Sequence, residues 1–205
     1  PDGNPFWSLG VTGVRQRSSA NLSDVTLVKG REFLFDEIPP RDGDFAGAWQ
    51  ENDYVSFYYT NLIRKYGSLE KWREMTFLRL KGWGLNTLGN WSDTLFFNRP
   101  QMPFTYAIFT NRDEKLRAIA NFPDVFNPEW ETYAEQNIRE ATVYRNNPYL
   151  IGYFIDNEQP WRNLSVLRAP SNIPMRQAWA AFLQEKYTSL DALNQAWQTQ
   201  FDGWE

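Results

Sequence analysis

The run Leu150-Ile151-Gly152-Tyr153-Phe154-Ile155 stops abruptly on three polar residues, Asp156, Asn157 and Glu158. An apolar run without alternation reads as a strand buried on both faces, which helices or further sheets must cover. Acids at its carboxyl end point into whatever cleft that end opens on. In parallel α/β folds this is where ligands bind and chemistry happens. A lone strand-end acid more often caps the next element or pairs with a cation, so the remaining residues have to separate the two readings.

Two absences narrow the chemistry. The chain has no Cys, hence no disulfide, thiolate nucleophile or Cys-based metal site. It has no His, so the usual general base near neutral pH is missing. Ser-His-Asp and Cys-His mechanisms are excluded for these residues alone. Carboxylates, Tyr and Lys are what remain for acid–base work, and hydrolysis would fall to carboxylates. No cofactor is expected, and without a His cluster a catalytic metal is not expected either. A structural Ca²⁺ on loop carboxylates stays open.

The aromatic content points to a ligand class. There are 10 Trp, 10 Tyr and 15 Phe. Many must be core. Trp91 in Gly89-Asn90-Trp91-Ser92-Asp93 and Trp161 in Gln159-Pro160-Trp161-Arg162 sit instead beside polar residues in turn-like sequence. An indole face with hydrogen-bonding neighbours suits a sugar ring, apolar on its C–H faces and hydroxylated at its edge. A Trp beside a turn also serves simply as a packing anchor.

With 205 residues, 42% hydrophobic and 22% charged, the chain suits one compact domain or most of one. The net charge of −4 and the scattered basic residues favour neither nucleic acid nor a membrane surface as partner. No run approaches the roughly 18 apolar residues of a membrane-spanning helix. No signal peptide is present, and the opening Pro1-Asp2-Gly3-Asn4-Pro5 looks like the interior of a longer protein.

Four segments read as strands: residues 6–14, 86–91, 104–109 and 150–155, each short, apolar or β-branched and bounded by Gly, Pro or Asn. Helical patterns fall between and after them. Ser68 is an N-cap for a helix to about Lys81, with Leu69, Trp72 and Met75 on one stripe and Gly82 as the stop. Asn127-Pro128-Glu129 combines an N-cap, an N1 proline and an early acid, and Trp130, Ala134, Ile138 and Ala141 then share a face. Ser171 or Asn172 opens a third helix carrying Met175, Trp179, Phe182 and Leu183, and Ser189 a fourth with Leu193 and Trp197. About a dozen residues link the second and third strands, so any helix there is short. Strands alternating with helices predict an α/β fold with a parallel sheet. Residues 15–66 form a long insertion after the first strand. Its apolar residues, among them Phe33, Phe35, Ile38, Trp49, Tyr54 and Phe57, favour an ordered lid.

Taken in order, Gly3-Asn4-Pro5-Phe6-Trp7-Ser8-Leu9-Gly10-Val11, Gly30-Arg31-Glu32, Gly84-Leu85-Asn86-Thr87-Leu88-Gly89-Asn90-Trp91-Ser92 and Ile151 to Glu158 resemble the β-agarases of glycoside hydrolase family 50. These belong to the clan of retaining glycosidases on (β/α)8 TIM-type barrels that also holds the family 42 β-galactosidases. The resemblance implies hydrolysis of β-glycosidic bonds in agarose-type galactans. In that clan an Asn-Glu pair closes the fourth barrel strand. By resemblance, Glu158 is the general acid/base and Asn157 holds the 2-hydroxyl of the sugar being cleaved. Asn90, Trp91, Trp161 and Arg31 are the further substrate-binding candidates. A proton donor needs a carboxyl pKa raised towards neutrality, for which Tyr153, Trp161 and a second carboxylate are the candidates.

The clan's second carboxylate, the nucleophile about 5 Å from the first, ends strand seven, and no later strand ending in Glu follows here. A complete barrel takes about 250 residues, so residues 1–205 read as its N-terminal half, the first four βα units, with the nucleophile outside them. Asp93 is a weak substitute, and Asp36 and Glu37 read as surface or structural. Such a half is expected to be inactive alone. It leaves strand edges on strands one and four that the rest of the barrel, or self-association, must cover. A polymeric substrate outside cells implies a secreted or periplasmic bacterial protein. The alternatives are another galactan hydrolase of the clan, such as a β-galactosidase, and a non-catalytic carbohydrate-binding fragment.

Overall fold

A computed structural model describes residues 3–16, 24–119, 122–159 and 169–204. Trp161 therefore lies outside the described residues. In chain order the elements are β1 (Gly10–Val11), β2 (Thr26–Leu27), β3 (Trp49–Gln50), β4 (Tyr54–Val55), α1 (Phe57–Tyr66), α2 (Leu69–Gly82), β5 (Thr87–Leu88), α3 (Thr94–Phe97) and β6 (Phe104–Ile108). There follow β7 (Arg117–Ile119), β8 (Phe122–Pro123), α4 (Pro128–Ala141), β9 (Leu150–Ile155), α5 (Pro174–Tyr187) and α6 (Leu190–Trp197). The fold is mixed α/β. Its largest sheet has the order β1-β5-β6-β9, with β1–β5 and β5–β6 parallel.

Two compact units divide the chain, Pro1–Tyr106 with Asn147–Gly152, and Ala107–Asn146 with Tyr153–Glu205. In the first unit β1 pairs with β5 through two residues each, Gly10 opposite Thr87 and Val11 opposite Leu88. The approach is close enough that a Cβ at Gly10 would overlap the Thr87 carbonyl oxygen, and one at Gly89 would lie 2.7 Å from Thr12 Cγ2. Trp72, Phe77, Phe96, Phe97 and Phe104 are buried in the same unit. Phe97 stacks on Phe104 with ring centroids 4.4 Å apart. Trp72 and Phe77 each meet Phe96 edge-on at 5.2 Å, a favoured aromatic arrangement.

The described residues of the segment read as an insertion, 24–66, are more than a loop. Its chain builds an antiparallel sheet of order β2-β4-β3. Val28, Ala48, Val55, Tyr59 and Ile63 form a buried cluster there, with Phe35, Ile38, Phe45, Trp49 and Phe57 packed on it. Residues 57–66, assigned to the insertion from sequence, are the helix α1. Its signal was Ser56, whose Oγ accepts from Tyr59 N at 3.1 Å.

Elsewhere the caps decide the helices. Ser68 accepts from Lys71 N, Asn127 from Glu129 N and Ser189 from Ala192 N, as their sequences predict. Gly82 is the last residue of α2 rather than its stop; the left-handed residue is Gly84. Neither Ser171 nor Asn172 caps α5, which starts with Pro174 at N1 after Ile173. Ile173 has no side-chain oxygen to cap with, and the free N–H of Met175 donates instead to the Asp124 carboxylate at 3.1 Å. The expected stripe on α4 is only half right, since Ala134 and Ala141 are buried but Ile138 is exposed. α3 has four residues, as the short linker required.

The strands are shorter than the sequence suggests, except β9, which spans the expected residues. The expectation that β9 is buried on both faces is overturned. Ile151, Tyr153, Phe154 and Ile155 are all exposed, Ile155 at 68%. β9 is the terminal strand of its sheet, so its outer edge has no partner among the described residues.

Gly10→Ala should lower stability by about 1–3 kcal/mol through the clash at β1–β5. Gly82→Ala, where nothing lies within 4 Å of the added carbon, should instead stabilise by up to about 1 kcal/mol. Thermal melts of the two variants check the pair; equal melting temperatures would contradict it.

Candidate active site

Asp156, Asn157 and Glu158 follow β9 directly and belong to the second unit. Asp156 is fixed from several sides. Its backbone N–H donates to the Ile108 carbonyl at 2.8 Å. Its carboxylate accepts two bonds of 2.6 Å, one from Thr110 N–H and one from the Thr110 hydroxyl. The Thr110 carbonyl in turn accepts from Trp130 Nε1 on α4 at 3.2 Å. Thr110 is 5% exposed, so these bonds form largely away from water. Charge-assisted bonds of this length are among the stronger ones. Of the two strand-end acids, Asp156 is thus a structural anchor.

Asn157 and Glu158 are exposed, and neither side chain bonds another described residue. Asp156 and Glu158 both have left-handed backbones, with φ of 57° and 50°. For a residue with a side chain this costs roughly 1–2 kcal/mol. Such conformations persist where the surroundings impose them, and they cluster at functional sites. The Asp156–Thr110 bonds are the constraint that imposes it here. Tyr153, one candidate for tuning Glu158, has its hydroxyl on the Ala141 carbonyl at 3.2 Å.

Asn90 and Trp91 lie in the first unit, just past the carboxyl end of β5, and Arg31 lies in the same unit after β2. Gly13 N–H donates to the Asn90 carbonyl at 2.9 Å, and Asp93 N–H to that of Val14 at 2.8 Å. The segments following β1 and β5 therefore run side by side. Asn90 is buried, and its Oδ1 accepts from the Thr105 hydroxyl of β6 at 2.7 Å. The amide is held in one orientation while its Nδ2 binds no described residue. Trp91 is 41% exposed and also left-handed, with φ of 63°. Its indole stands out of a turn that Ser92 closes on the Gly89 carbonyl at 2.8 Å. Asp93 caps α3 by accepting from Leu95 N at 2.8 Å, which occupies it structurally. Glu37 pairs with Arg64 at 2.8 Å, as its structural reading required. Arg31 is exposed, with no side-chain partner among the described residues.

Thr105 and Thr110 escaped the sequence reading. Their signal was position: one lies inside the third strand segment, the other directly past it, facing a polar residue on the neighbouring strand.

Thr110→Val removes one of the two bonds to a charged carboxylate and should destabilise by about 2 kcal/mol, a fall in melting temperature of roughly 4–8 °C. Thr110→Ser should keep most of that stability. A valine variant that melts with the wild type would show that the hydroxyl contributes nothing.

The chain is similar to known carbohydrate enzymes. A family model described as β-galactosidase, glycoside hydrolase family 42, matches residues 111–205. Beta-agarase A of Vibrio sp. (strain JT0107) is 27% identical over the whole of this chain, which spans 24% of that protein. The structure of an exo-beta-agarase superposes with a TM-score of 0.68 at 32% identity, covering 83% of this chain and 28% of that one. The crystal structure of an agarase, AgWH50C, superposes over 100% of this chain and 35% of its own, with a TM-score of 0.71 and 25% identity. The chain is thus similar to Beta-agarase A along its entire length, while it spans about a quarter of the length of that curated protein.

Proposed function

We propose that this chain is the N-terminal half of the catalytic barrel of a glycoside hydrolase that cleaves β-glycosidic bonds in agarose-type galactans with retention of configuration. Full-length similarity to β-agarases carries the reading. It is supported by a strand-end glutamate whose carboxylate no described residue occupies. On this reading the parallel strands β1, β5, β6 and β9 are the first four strands of a (β/α)8 barrel, and residues 24–55 belong to an insertion after the first.

Glu158 is the general acid/base. It donates its proton to the glycosidic oxygen as that bond breaks, while a carboxylate supplied from outside these residues attacks the anomeric carbon. The resulting glycosyl-enzyme is opened by a water whose proton returns to Glu158. Asn157 holds the 2-hydroxyl of the sugar at the point of cleavage. Asn90, Trp91, Trp161 and Arg31 contact the galactan chain. Agarose is nearly neutral, so stacking and hydrogen bonds rather than net charge would bind it, in keeping with the aromatic-rich, weakly charged sequence. Without the nucleophile these residues alone would not turn over. A polymer of this size is degraded outside the cytoplasm, hence a secreted or periplasmic place of action.

The family model described as β-galactosidase favours a second reading, a galactosidase acting on shorter galactosides. Product analysis on agarose, porphyran and aryl galactosides separates the two. Activity confined to the aryl sugar would displace the agarase assignment.

In the full-length protein Glu158→Gln should reduce agarose hydrolysis by at least about 10²-fold, the contribution expected of a positioned proton donor. Reducing-end release is the measurement, and wild-type rates would remove Glu158 from the mechanism.

A further inference from the structure

The insertion carries a second concavity, built entirely within the first unit. A groove of about 510 Å³ is lined by Glu32, Ile38, Pro40, Arg41, Trp49 and Asp53, among others. That volume lies within the range of small-ligand sites. Its charged groups are held in place. The three residues between β3 and β4 include Asn52 and Asp53, both left-handed, with φ of 58° and 64°. This turn presents the Asp53 carboxylate to Arg41 and, at 3.6 Å, to Lys29. The bond from Arg41 holds the Asp53 carboxyl below the usual carboxylate range. The Arg41 guanidinium also lies 3.8 Å over the Trp49 ring. That indole is itself anchored, donating to the Pro40 carbonyl at 2.9 Å. Arg41 is thus clamped between an aromatic bed and a carboxylate. Its Nη2 bonds Asp53, while its Nε and Nη1 engage no described residue. Glu32 accepts from Gly30 N–H at 3.1 Å through Oε1. Bonds from the backbone N–H groups of Glu32 itself and of Gly30 hold its carboxyl low and ionised.

The groove therefore offers a fixed donor, a fixed acceptor and an apolar floor from Ile38 and the prolines. Lys29 and Arg41 balance Glu32 and Asp53, so the lining is electrically neutral. An anion would meet two carboxylates there and a cation two basic groups. A polyhydroxylated neutral ring meets neither penalty and can both accept from Arg41 and donate to Glu32. The insertion also leaves β1 at the carboxyl end of the parallel strands, the end where Asn90 and Trp91 sit in the same unit.

We propose that this groove binds one unit of a neutral sugar chain, with Arg41 as donor and Glu32 as acceptor. That the sugar belongs to a galactan rests on the function proposed above; the groove itself does not.

The test is isothermal titration of the full-length protein with neutral agarohexaose in the Glu158→Gln background, adding Arg41→Met or Glu32→Gln. Arg41→Met should weaken hexaose binding about tenfold, the scale of a lost hydrogen bond from a charged donor. Glu32→Gln keeps an oxygen that can accept from Gly30 N–H but loses the charge, and it should weaken hexaose binding several-fold. Should Arg41→Met fail to fold, Glu32→Gln decides alone. Hexaose affinities equal to the background's would overturn the groove, as would tighter binding of a sulfated hexaose than of the neutral one. Wild-type hydrolysis by Glu158→Gln would overturn the catalytic reading and leave the groove result standing.

Discussion

β1 and β5 pair through only two residues each, and they do so because Gly10 and Gly89 present no side chain at the contact. Parallel strands this short have few ladder bonds, so their mutual approach must be close for the bonds to form at all. Everything at the carboxyl end of the first unit inherits that geometry. The segments after the two strands exchange the bonds Gly13–Asn90 and Asp93–Val14. This alignment buries Asn90 against Thr105, turns Trp91 outward and fixes where the insertion departs.

The second unit solves the equivalent problem with a side chain. Asp156 bonds both polar hydrogens of Thr110, while its own N–H meets Ile108. A single carboxylate thus fixes the end of β9 to that of β6, and the left-handed turn through Glu158 follows. The division of labour is chemically sensible. An acid that must titrate cannot also be a permanent hydrogen-bond anchor, so the anchoring of Asp156 leaves Glu158 as the acid that the proposed mechanism can use.

Local signals were legible in the sequence. Ser68, Asn127 and Ser189 act as caps because capping depends on a few consecutive residues. β9 was legible in extent because its apolar run is long and sharply bounded. What failed depended on distant partners. Exposure of Ile151, Phe154 and Ile155 follows from β9 being the terminal strand, a fact of sheet order rather than of composition. Strands one and two were read too long because only the residues that meet a neighbour's backbone become ladder. α1 hid inside an aromatic-rich insertion because Phe57, Tyr58 and Tyr59 are weak helix formers, and burial of Tyr59, Leu62 and Ile63 overrode that propensity. Asn157 and Glu158 were legible as the polar residues that close β9. The bonding of Asp156 to Thr110 was not, since 46 residues separate them in the chain.

The backbone at Glu158 carries one more implication. With φ at 50°, the position favours glycine energetically, yet it holds the longest acid. Replacement by glycine would relax the turn while deleting the carboxyl, giving a sturdier and chemically mute protein. On the reading proposed above, the strained glutamate is a loss in folding stability accepted for the reactivity of its carboxyl.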